Sequence, residues 1–235
     1  MVLHKADSRG MANHGWLKTA HTFSFAHYYD AERIHFGALR VLNDDTVAGG
    51  MGFGMHPHDN MEIITIPLEG ELRHKDSMGN TSVIKKGDVQ VMSAGTGIMH
   101  SEMNNLPDQM VKLLQIWVIP NRRNVTPRYD EITISEKFQL NQFQQIVSPN
   151  QNEDGAWIHQ NAWFNLGTFE GGQLVDYKIH LPGNGTYFFI IEGKASVNGQ
   201  YLERRDGAGF WNRDNFNIQF QETTQMLIME LPMNL

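Results

Sequence analysis

Two short runs of polar residues have the composition and spacing of metal ligands. The first is His56-Pro57-His58, and the second is His100-Ser101-Glu102, which follows a glycine-rich turn at residues 94–97. On a β-strand, side chains two residues apart point to the same face, so each run presents a pair. Two such pairs on two barrel strands could hold one ion with three imidazoles and one carboxylate. That set suits a divalent first-row metal and leaves positions for water, O2 or a substrate.

A single His-x-His pair carries little weight in a chain with 11 histidines. The alternative is that all four are ordinary polar residues on solvent-facing strands. The neighbouring segments argue against this alternative, because Ile63-Ile64 and Met92 place them against a core. The sequence therefore favours a metal site over a polar surface.

Most of the chain consists of short apolar or alternating segments bounded by Gly, Asn, Asp or Pro. The clearest are Met61–Leu68, Val89–Ser93, Lys112–Ile119, Tyr187–Ile191, Phe216–Phe220 and Gln225–Leu231. This pattern predicts an all-β protein built as an antiparallel sandwich or barrel rather than from βαβ units. Helical periodicity is scarce, and only Arg33–Leu39 and Glu136–Ile146 could each form a turn or two of helix.

An internal repeat predicts two similar halves. Residues 63–93 and 186–211 each contain an apolar strand ending in Glu-Gly, a hairpin turn with Gly and Asn, a basic pair, a glycine-containing turn and a further apolar strand. Any two hairpins share some of these features, but four in the same order favour a duplicated barrel. The polar stretch 121–128 is the expected connection, and we expect domains at residues 1–130 and 131–235.

Composition excludes several classes of protein. The 235 residues include no cysteine, which leaves His, Asp and Glu as metal ligands, and the net charge of −7 argues against direct nucleic-acid binding. No apolar stretch approaches the ~20 residues of a membrane span. The first residues are polar from position 4 and contain no hydrophobic signal region, so we expect a cytoplasmic protein.

The motifs resemble those of the cupin superfamily and, more narrowly, those of the pirin family. Gly50, His56-Pro57-His58 and Glu62 match the first cupin motif, and Gly97, His100 and Asn104 match the end of the second. The pirin resemblance rests on residues 15–17, 21–25, 28–30, 40–45, 56–58 and 93–102. It implies a bicupin of two packed jelly-roll barrels with few short helices, the first barrel binding metal and the second metal-free.

In pirins the metal, commonly iron, is held by three histidines and a glutamate. Carried over residue by residue, these ligands are His56, His58, His100 and Glu102. The resemblance implies one divalent transition metal per chain, with Fe(2+) expected and Mn, Co, Ni or Cu also compatible. Asp59-Asn60 departs from the usual basic-acidic pair, which should alter the rim of the pocket more than the ligands.

Other residues near the motifs are expected to have supporting or structural roles rather than to bind the metal. Glu62 is expected either to orient a ligand histidine or to be a plain, solvent-facing strand residue. Packed or hydrogen-bonded roles, rather than metal binding, are expected for the N-terminal histidines His14, His21, His27 and His35. An apolar wall around the ligands is expected from Phe53, Met55, Met92 and Met99.

The resemblance leaves the function open between classes. Bacterial pirins are associated with opening the ring of flavonols such as quercetin with O2, and Glu102 would then act as the catalytic base that takes the 3-hydroxyl proton. Other pirins are iron- or redox-sensing regulators that bind a transcription factor or a metabolic enzyme. An isomerase or hydrolase that uses the metal as a Lewis acid is a third alternative. The expected partners are a small aromatic substrate and O2, with a protein partner possible.

The second barrel is expected to be filled by side chains. Aligning Gly70 with Gly193 places Ile179 and Leu181 at the positions of His56 and His58, and it turns His180 to the opposite face of its strand. Side chains expected to fill the interior include Phe188, Ile190, Phe210 and Trp211.

Overall fold

The protein, represented by a computed structural model, is formed almost entirely of β-strands, and the structure describes residues 1–134 and 138–234. The strands of the first half are β1 (Val2–His4), β2 (Gly10–Asn13), β3 (Leu17–His21), β4 (Leu39–Val47), β5 (Gly52–His58), β6 (Glu62–Glu69), β7 (Glu71–Asp76), β8 (Thr81–Lys85), β9 (Asp88–Ser93), β10 (Ile98–Asn104), β11 (Val111–Val118) and β12 (Arg128–Thr133). Those of the second half are β13 (Phe143–Ser148), β14 (Ala156–Trp157), β15 (Trp163–Phe169), β16 (Leu174–Lys178), β17 (Asn184–Glu192), β18 (Lys194–Val197), β19 (Gln200–Glu203), β20 (Gly207–Phe210), β21 (Asn215–Phe220) and β22 (Thr224–Pro232).

The strands form two similar units, each with one seven-stranded and one four-stranded sheet. All strand pairs are antiparallel except the short parallel pair of β13 and β14. The first unit contains the orders β12-β9-β6-β11-β4-β3-β2 and β5-β10-β7-β8, and the second β1-β20-β17-β22-β15-β13-β14 and β16-β21-β18-β19. The two-domain, jelly-roll-type bicupin expected from the sequence is confirmed, although its sheets do not close into continuous barrels.

Two strands complicate a simple division of the chain. The first strand, β1, pairs with β20 of the second unit, with Leu3 opposite Ala208. The boundary expected near residue 130 falls inside β12, which pairs with β9 as far as Thr133. The division into residues 1–130 and 131–235 stays a prediction.

The internal repeat has a clear structural counterpart. Gly70 and Gly193 follow β6 and β17, both with positive φ, and a Cβ at either would overlap a backbone carbonyl of the facing strand. The second hairpin turns at Asn198-Gly199, where φ is positive at both residues, as a tight type I′ turn requires. Both halves therefore require glycine after the glutamate, because the backbone has a positive φ there and leaves no room for a Cβ atom.

The expected short helices are wrong for the described residues, whose only helical segment is a 3-10 turn at Ala6–Ser8. Arg33–Leu39 is irregular, because Phe36 and Leu39 pair with each other around Gly37 and Arg40 donates to the carbonyl of Ile34. Its apolar residues pack into the core between the units rather than along a helix face. In the other segment, β13 begins at Phe143, and residues 135–137 lie outside the described residues.

Apolar residues divide into clusters with different surroundings. The largest cluster lies between the two seven-stranded sheets and includes Leu114 and Ile116 from the first unit and Phe189 and Met229 from the second. A second cluster fills the interior of the second unit. The interior of the first unit contains only two small apolar clusters, so buried polar side chains occupy the space between them. Among the described residues, no helix is long and apolar enough to cross a membrane.

Candidate metal centre

Strand pairing brings three of the predicted ligands together inside the first unit. β5 and β10 are antiparallel neighbours, with His56 directly opposite His100 and His58 opposite Ile98. One ring nitrogen from each of His56, His58 and His100 lies within 4.8 Å of the others. The ring centroids of His56 and His100 are 4.4 Å apart. These three imidazoles therefore face a common point.

Hydrogen bonding at His56 and burial at His58 and His100 prepare these side chains for metal binding. The Nδ1 of His56 donates to the carbonyl of Gly54 at 2.7 Å, which leaves its Nε2 free for an ion. Burial, with repulsion from His56, lowers the pKa of His58 to about 4 and that of His100 to about 2. Neutral imidazoles coordinate metals without first losing a proton.

His100 supplies the strongest sign that a metal belongs here. Its side chain is fully buried, yet neither ring nitrogen has a hydrogen-bond partner within the described residues. Buried polar atoms are nearly always paired, so two unpaired nitrogens in one ring need an explanation. A divalent ion shared with His56 and His58 would satisfy one of them. The residues present fit a first-row transition metal.

Glu102 lies in the same cavity, but its carboxylate is directed to other partners. A bulge between His100 and Glu102 shifts the register, so that Glu102 lies opposite Phe53 on β5. The side chain of Gln115 donates to both carboxylate oxygens at 3.1 Å, and the hydroxyl of Thr65 donates at 3.3 Å. Burial raises the pKa of Glu102. Only the three histidines, and not Glu102, have possible ligand atoms that all lie within 4.8 Å of one another among the described residues.

The cavity at the three histidines has a volume of about 200 Å³ and combines polar and aromatic walls. Besides the residues already named, it is lined by His14, Leu17, Thr19, His21, Phe25, Ala26, Asn43, Asp45, Ile63 and Trp117. Trp117 contacts His58 edge to face, with centroids 4.9 Å apart, and Phe25 contacts Trp117 in the same way at 5.3 Å. A flat apolar group can therefore lie beside the histidines.

The expected apolar wall is only partly correct. Phe53 lines the cavity, as predicted. Met55 and Met99 are instead exposed at 51% and 39%, because they occupy the outward positions of β5 and β10. Met92 is buried in a separate apolar cluster with Ile63. Trp117 and Phe25, together with Phe53, provide the apolar wall that was expected from the methionines.

Several residues of the cavity were missed by sequence reasoning. Asn43 and Asp45 alternate along β4 with residues of the other face, and burial raises the pKa of Asp45 to about 7. The hydrogen-bonded role expected for His21 is confirmed, since its Nδ1 donates to Asn43 at 2.8 Å, yet His21 also lines the cavity. The spacing of Asn43 and Asp45, two residues apart and thus on one face of β4, was the available signal.

A further buried histidine lies directly beside the centre. His74 is completely buried, and its ring centroid is 5.4 Å from that of His100. Its Nε2 lies 3.1 Å from the carboxylate of Asp76, and the ring of Tyr129 stacks on it at 4.7 Å. His74 therefore supports one side of His100 through a fixed ring.

Glu62 neither orients a ligand histidine nor faces solvent, since only 1% of its surface is exposed. Its side chain accepts a hydrogen bond from the hydroxyl of Ser93 at 2.7 Å, and burial raises its pKa to about 7. The expectation assumed one regular strand from His56 to Glu62, but Asn60, with φ of 45°, interrupts the chain between β5 and β6. Glu62 therefore lies on the face of β6 that is directed toward the second unit, with Ile64.

The second unit has apolar or aromatic residues at the corresponding positions, but the expected alignment is two residues out of register. β16 and β21 correspond to β5 and β10, and Tyr177 lies opposite Phe216 as His56 lies opposite His100. The position of Glu102 corresponds to Ile218, which pairs with Val197 as Glu102 pairs with His74. Tyr177 and Ile179, rather than Ile179 and Leu181, thus replace His56 and His58.

Two other expectations for the second unit need correction, while its filled interior agrees with the prediction. Phe188, Ile190 and Phe210 are buried there, but Trp211 is 40% exposed because β20 ends at Phe210. His180 lies beyond the end of β16, and its Nδ1 turns back to the buried carboxylate of Glu230 at 2.8 Å.

Comparison with known proteins agrees with this architecture. The family model described as Pirin matches residues 3–118, and the one described as Quercetinase C-terminal cupin domain matches residues 145–231. The quercetin 2,3-dioxygenase of Escherichia coli (strain K12) is 39% identical over 99% of both chains. A pirin-like protein of Caulobacter vibrioides is 36% identical over 95% of this chain and 96% of its own. The crystal structure of the bacterial pirin YhhW from Escherichia coli in complex with nickel(II) superposes with a TM-score of 0.93, at 37% identity and 98% coverage of each chain.

Proposed function

Because this chain belongs to the pirin family, we propose that it is a metal-dependent dioxygenase that opens the ring of a flavonol such as quercetin. The proposed ligands are His56, His58, His100 and Glu102, and the proposed ion is Fe(2+), one per chain. Mn, Co, Ni and Cu suit the same ligand types. A relative of known structure binds nickel(II), which supports a divalent metal without selecting one.

The observation that carries the proposal is the state of His100. Its two buried ring nitrogens are unpaired among the described residues and face His56 and His58. A structural histidine in a barrel interior would be hydrogen-bonded, as His21 and His74 are. When bound, a redox-active ion here would take up an enolic oxygen and pass electron density toward O2.

Glu102 is the proposed catalytic base for the 3-hydroxyl proton of the flavonol. Glu102 lines the cavity, two residues after His100, and only 3% of its surface is exposed. Gln115 holds both oxygens, which fixes the carboxylate in one orientation and leaves lone pairs available on each oxygen. A positioned base of this kind typically contributes about 10²–10⁴-fold to a rate.

The cavity limits how much of a substrate it can enclose. Its volume of about 200 Å³ is below the ~300–1,000 Å³ of most sites for drug-sized ligands. We therefore propose that the hydroxylated ring enters beside Trp117 and that the remaining aromatic ring stays near the opening. The polar residues Asn43 and Asp45 would then face the oxygen atoms of the entering ring.

The test is turnover of a flavonol by metal-loaded protein. Protein stripped of metal is loaded separately with iron, manganese, cobalt, nickel and copper, and the flavonol absorption band and O2 uptake are followed under air. The matched control is His58→Ala incubated with the same metals, which accounts for oxidation by free ions. We expect at least one metal to give O2-dependent loss of the band in the wild type alone. An unchanged band with all five metals would refute the enzymatic proposal and favour the regulatory alternative.

A further inference from the structure

A second cavity lies on the opposite face of β4 from the metal centre. Asn43 and Asp45 face the metal cavity, whereas Asp44 and Thr46 line this second one, as strand alternation requires. Its volume is about 270 Å³. The remaining wall comes from both halves of the molecule: Arg9, Met11, Lys18, Thr19, Ala20, Lys112, Arg204 and Arg205.

The lining is strongly cationic although the chain as a whole is acidic. Five cationic side chains line the cavity, whereas Asp44 is the one carboxylate among the lining residues, all of which are described. At the rim, Glu69 pairs with Lys112 at 2.6 Å and Glu192 pairs with Arg204 at 2.7 Å. The cavity keeps an excess of positive charge after these pairs are counted. Such an excess in a concave site attracts anions.

Two of the cations are buried and share one partner. The side chains of Arg9 and Arg205 are each only 6% exposed. Both guanidinium groups approach the same Oδ2 atom of Asp44, at 3.5 Å and 3.1 Å. The Nη1 of Arg205 has no hydrogen-bond partner within the described residues. A buried donor without an acceptor costs about 1–3 kcal/mol, and more when it is charged.

Local structure holds Arg205 in this position despite backbone strain. Its φ is +66°, a left-handed conformation uncommon for residues other than glycine. The backbone N–H of Arg205 donates to Ile190 at 2.7 Å. The next residue, Asp206, accepts from the backbone of Ala6 at 2.8 Å and pairs with Lys5. The turn is thereby fixed against the first residues of the chain. Strain maintained in this way is common where a side chain must contact a ligand.

We propose that this cavity binds a small molecule carrying two negative charges on carboxylate or phosphate oxygens. The forked guanidinium groups of Arg9 and Arg205 match such oxygens in pairs. In the structure the two groups share one oxygen of Asp44, and Arg205 also lies 3.6 Å from the exposed carboxylate of Glu192, which already pairs with Arg204. Burial lowers the pKa of both arginines, and Arg204 repels both of them. A bound dianion relieves this repulsion and supplies the acceptor that Nη1 of Arg205 lacks.

The test is calorimetric titration of the metal-containing protein with inorganic phosphate and, separately, with succinate. Potassium chloride keeps the ionic strength constant, and acetate serves as the monoanion. We expect saturable binding of one dianion per chain, with acetate weaker by about tenfold or more, the loss expected for one charge-assisted hydrogen bond. The relative affinities for phosphate and succinate show whether the cavity prefers phosphate or carboxylate oxygens. No saturable heat with either dianion would overturn the proposal.

Matched variants locate the binding site. Arg205→Lys retains the charge but loses the forked pair of N–H donors, and Lys18→Ala removes the charge of an exposed side chain. We expect each to weaken binding by about tenfold. The control Lys178→Ala makes the same charge change as Lys18→Ala on an exposed position of β16 and should bind like the wild type. Equal weakening in Lys178→Ala, or loss of binding in His58→Ala, would place the anion elsewhere and overturn the assignment.

Discussion

The side-chain amide of Gln115 on β11 donates to both carboxylate oxygens of Glu102 on β10, at 3.1 Å each. These strands belong to different sheets of the first unit, so the contact spans the interior beside the three histidines. The hydroxyl of Thr65 is a second donor, 3.3 Å from one carboxylate oxygen and equally far from the amide oxygen of Gln115. A carboxylate held by an amide at both of its oxygens has one orientation in the cavity. That orientation allows the role of Glu102 to be tested separately from metal binding.

The first prediction concerns Glu102 as a base. Glu102→Gln preserves the shape of the side chain and removes its capacity to accept a proton. We expect turnover to fall by about 10²-fold or more, with a smaller change in metal content, because three histidines remain. Steady-state kinetics and metal analysis of the same preparation provide the measurement. The control Glu62→Gln changes another buried glutamate on the far face of β6 and should keep its turnover. Equal turnover in Glu102→Gln and the wild type would rule out the base.

The second prediction concerns the metal ligands. His58→Ala and His100→Ala should each lose most of the bound metal, because one of the few protein ligands disappears. His35→Ala is the matched control, since the Nδ1 of His35 bonds to the carbonyl of Gly37 outside the cavity. Elemental analysis after dialysis measures the metal per chain. Stoichiometric metal in both of the first two variants would contradict the ligand assignment.

The third prediction concerns the number and effect of the ions. We expect one metal per chain, because Tyr177, Phe216 and Ile218 replace three of the proposed ligands in the second unit. Removing the metal should increase hydrogen exchange in β5 and β10 more than in β16 and β21. Exchange measured by mass spectrometry with and without a chelator distinguishes the two units. Two tightly bound ions, or equal changes in both units, would disprove this prediction.

The fourth prediction concerns the pH dependence of stability. His4 is buried between Phe23 and Tyr187, and its Nδ1 lies 2.8 Å from the hydroxyl of Tyr187. Burial, with repulsion from Arg33, lowers its pKa from 6.5 to about 4. Between pH 6.5 and 4 the unfolded chain therefore binds more protons at His4 than the folded chain. The free energy of unfolding should fall as the pH falls through this window.

The change attributable to His4 is up to about 3 kcal/mol. His4→Gln keeps a polar side chain near Tyr187 and does not titrate, so its stability should decline less between pH 7 and pH 4.5. Urea unfolding of both proteins across this pH range measures the difference between their free energies of unfolding. Other titrating residues contribute equally to both proteins, so their contribution cancels in this difference. Parallel curves for the two proteins would show that His4 does not titrate differently on folding.

Local sequence patterns were sufficient for six of the strands and for the shared face of His56 and His58. The segments Met61–Leu68 and Lys112–Ile119 correspond to β6 and β11 within one or two residues, because apolar content and glycine or proline punctuation act locally. His56 and His58 share a face by alternation alone. Their meeting with His100 requires that β5 and β10 be neighbours, which the proposal of two barrel strands sharing one ion had assumed.

Errors arose where a result depended on how the chain passes from one strand to the next. A single residue with positive φ, Asn60, separates β5 from β6 and moves Glu62 to the other face of the sheet. The connection from β16 to β17 (residues 179–183) is two residues longer than the connection from β5 to β6 (residues 59–61). An alignment on Gly70 and Gly193 is therefore displaced by two residues at β16. Asn43, Asp45 and Gln115 reach the cavity because β4 and β11 lie across from β10, which short-range patterns do not specify. Phe36 and Leu39 were spaced as in a helix but pack as a loop against the second unit.

The pairing of β1 with β20 has a consequence for synthesis of the chain. Val2 lies opposite Gly209, which is made much later because it follows 207 residues farther along the chain. The first strand therefore has no β20 to pair with while β2 to β12 are being made. The second unit takes this edge strand from a segment made long before its own strands. A ribosome-bound chain lacking residues 207–210 would leave residues 2–4 accessible to proteases, whereas the finished protein would protect them.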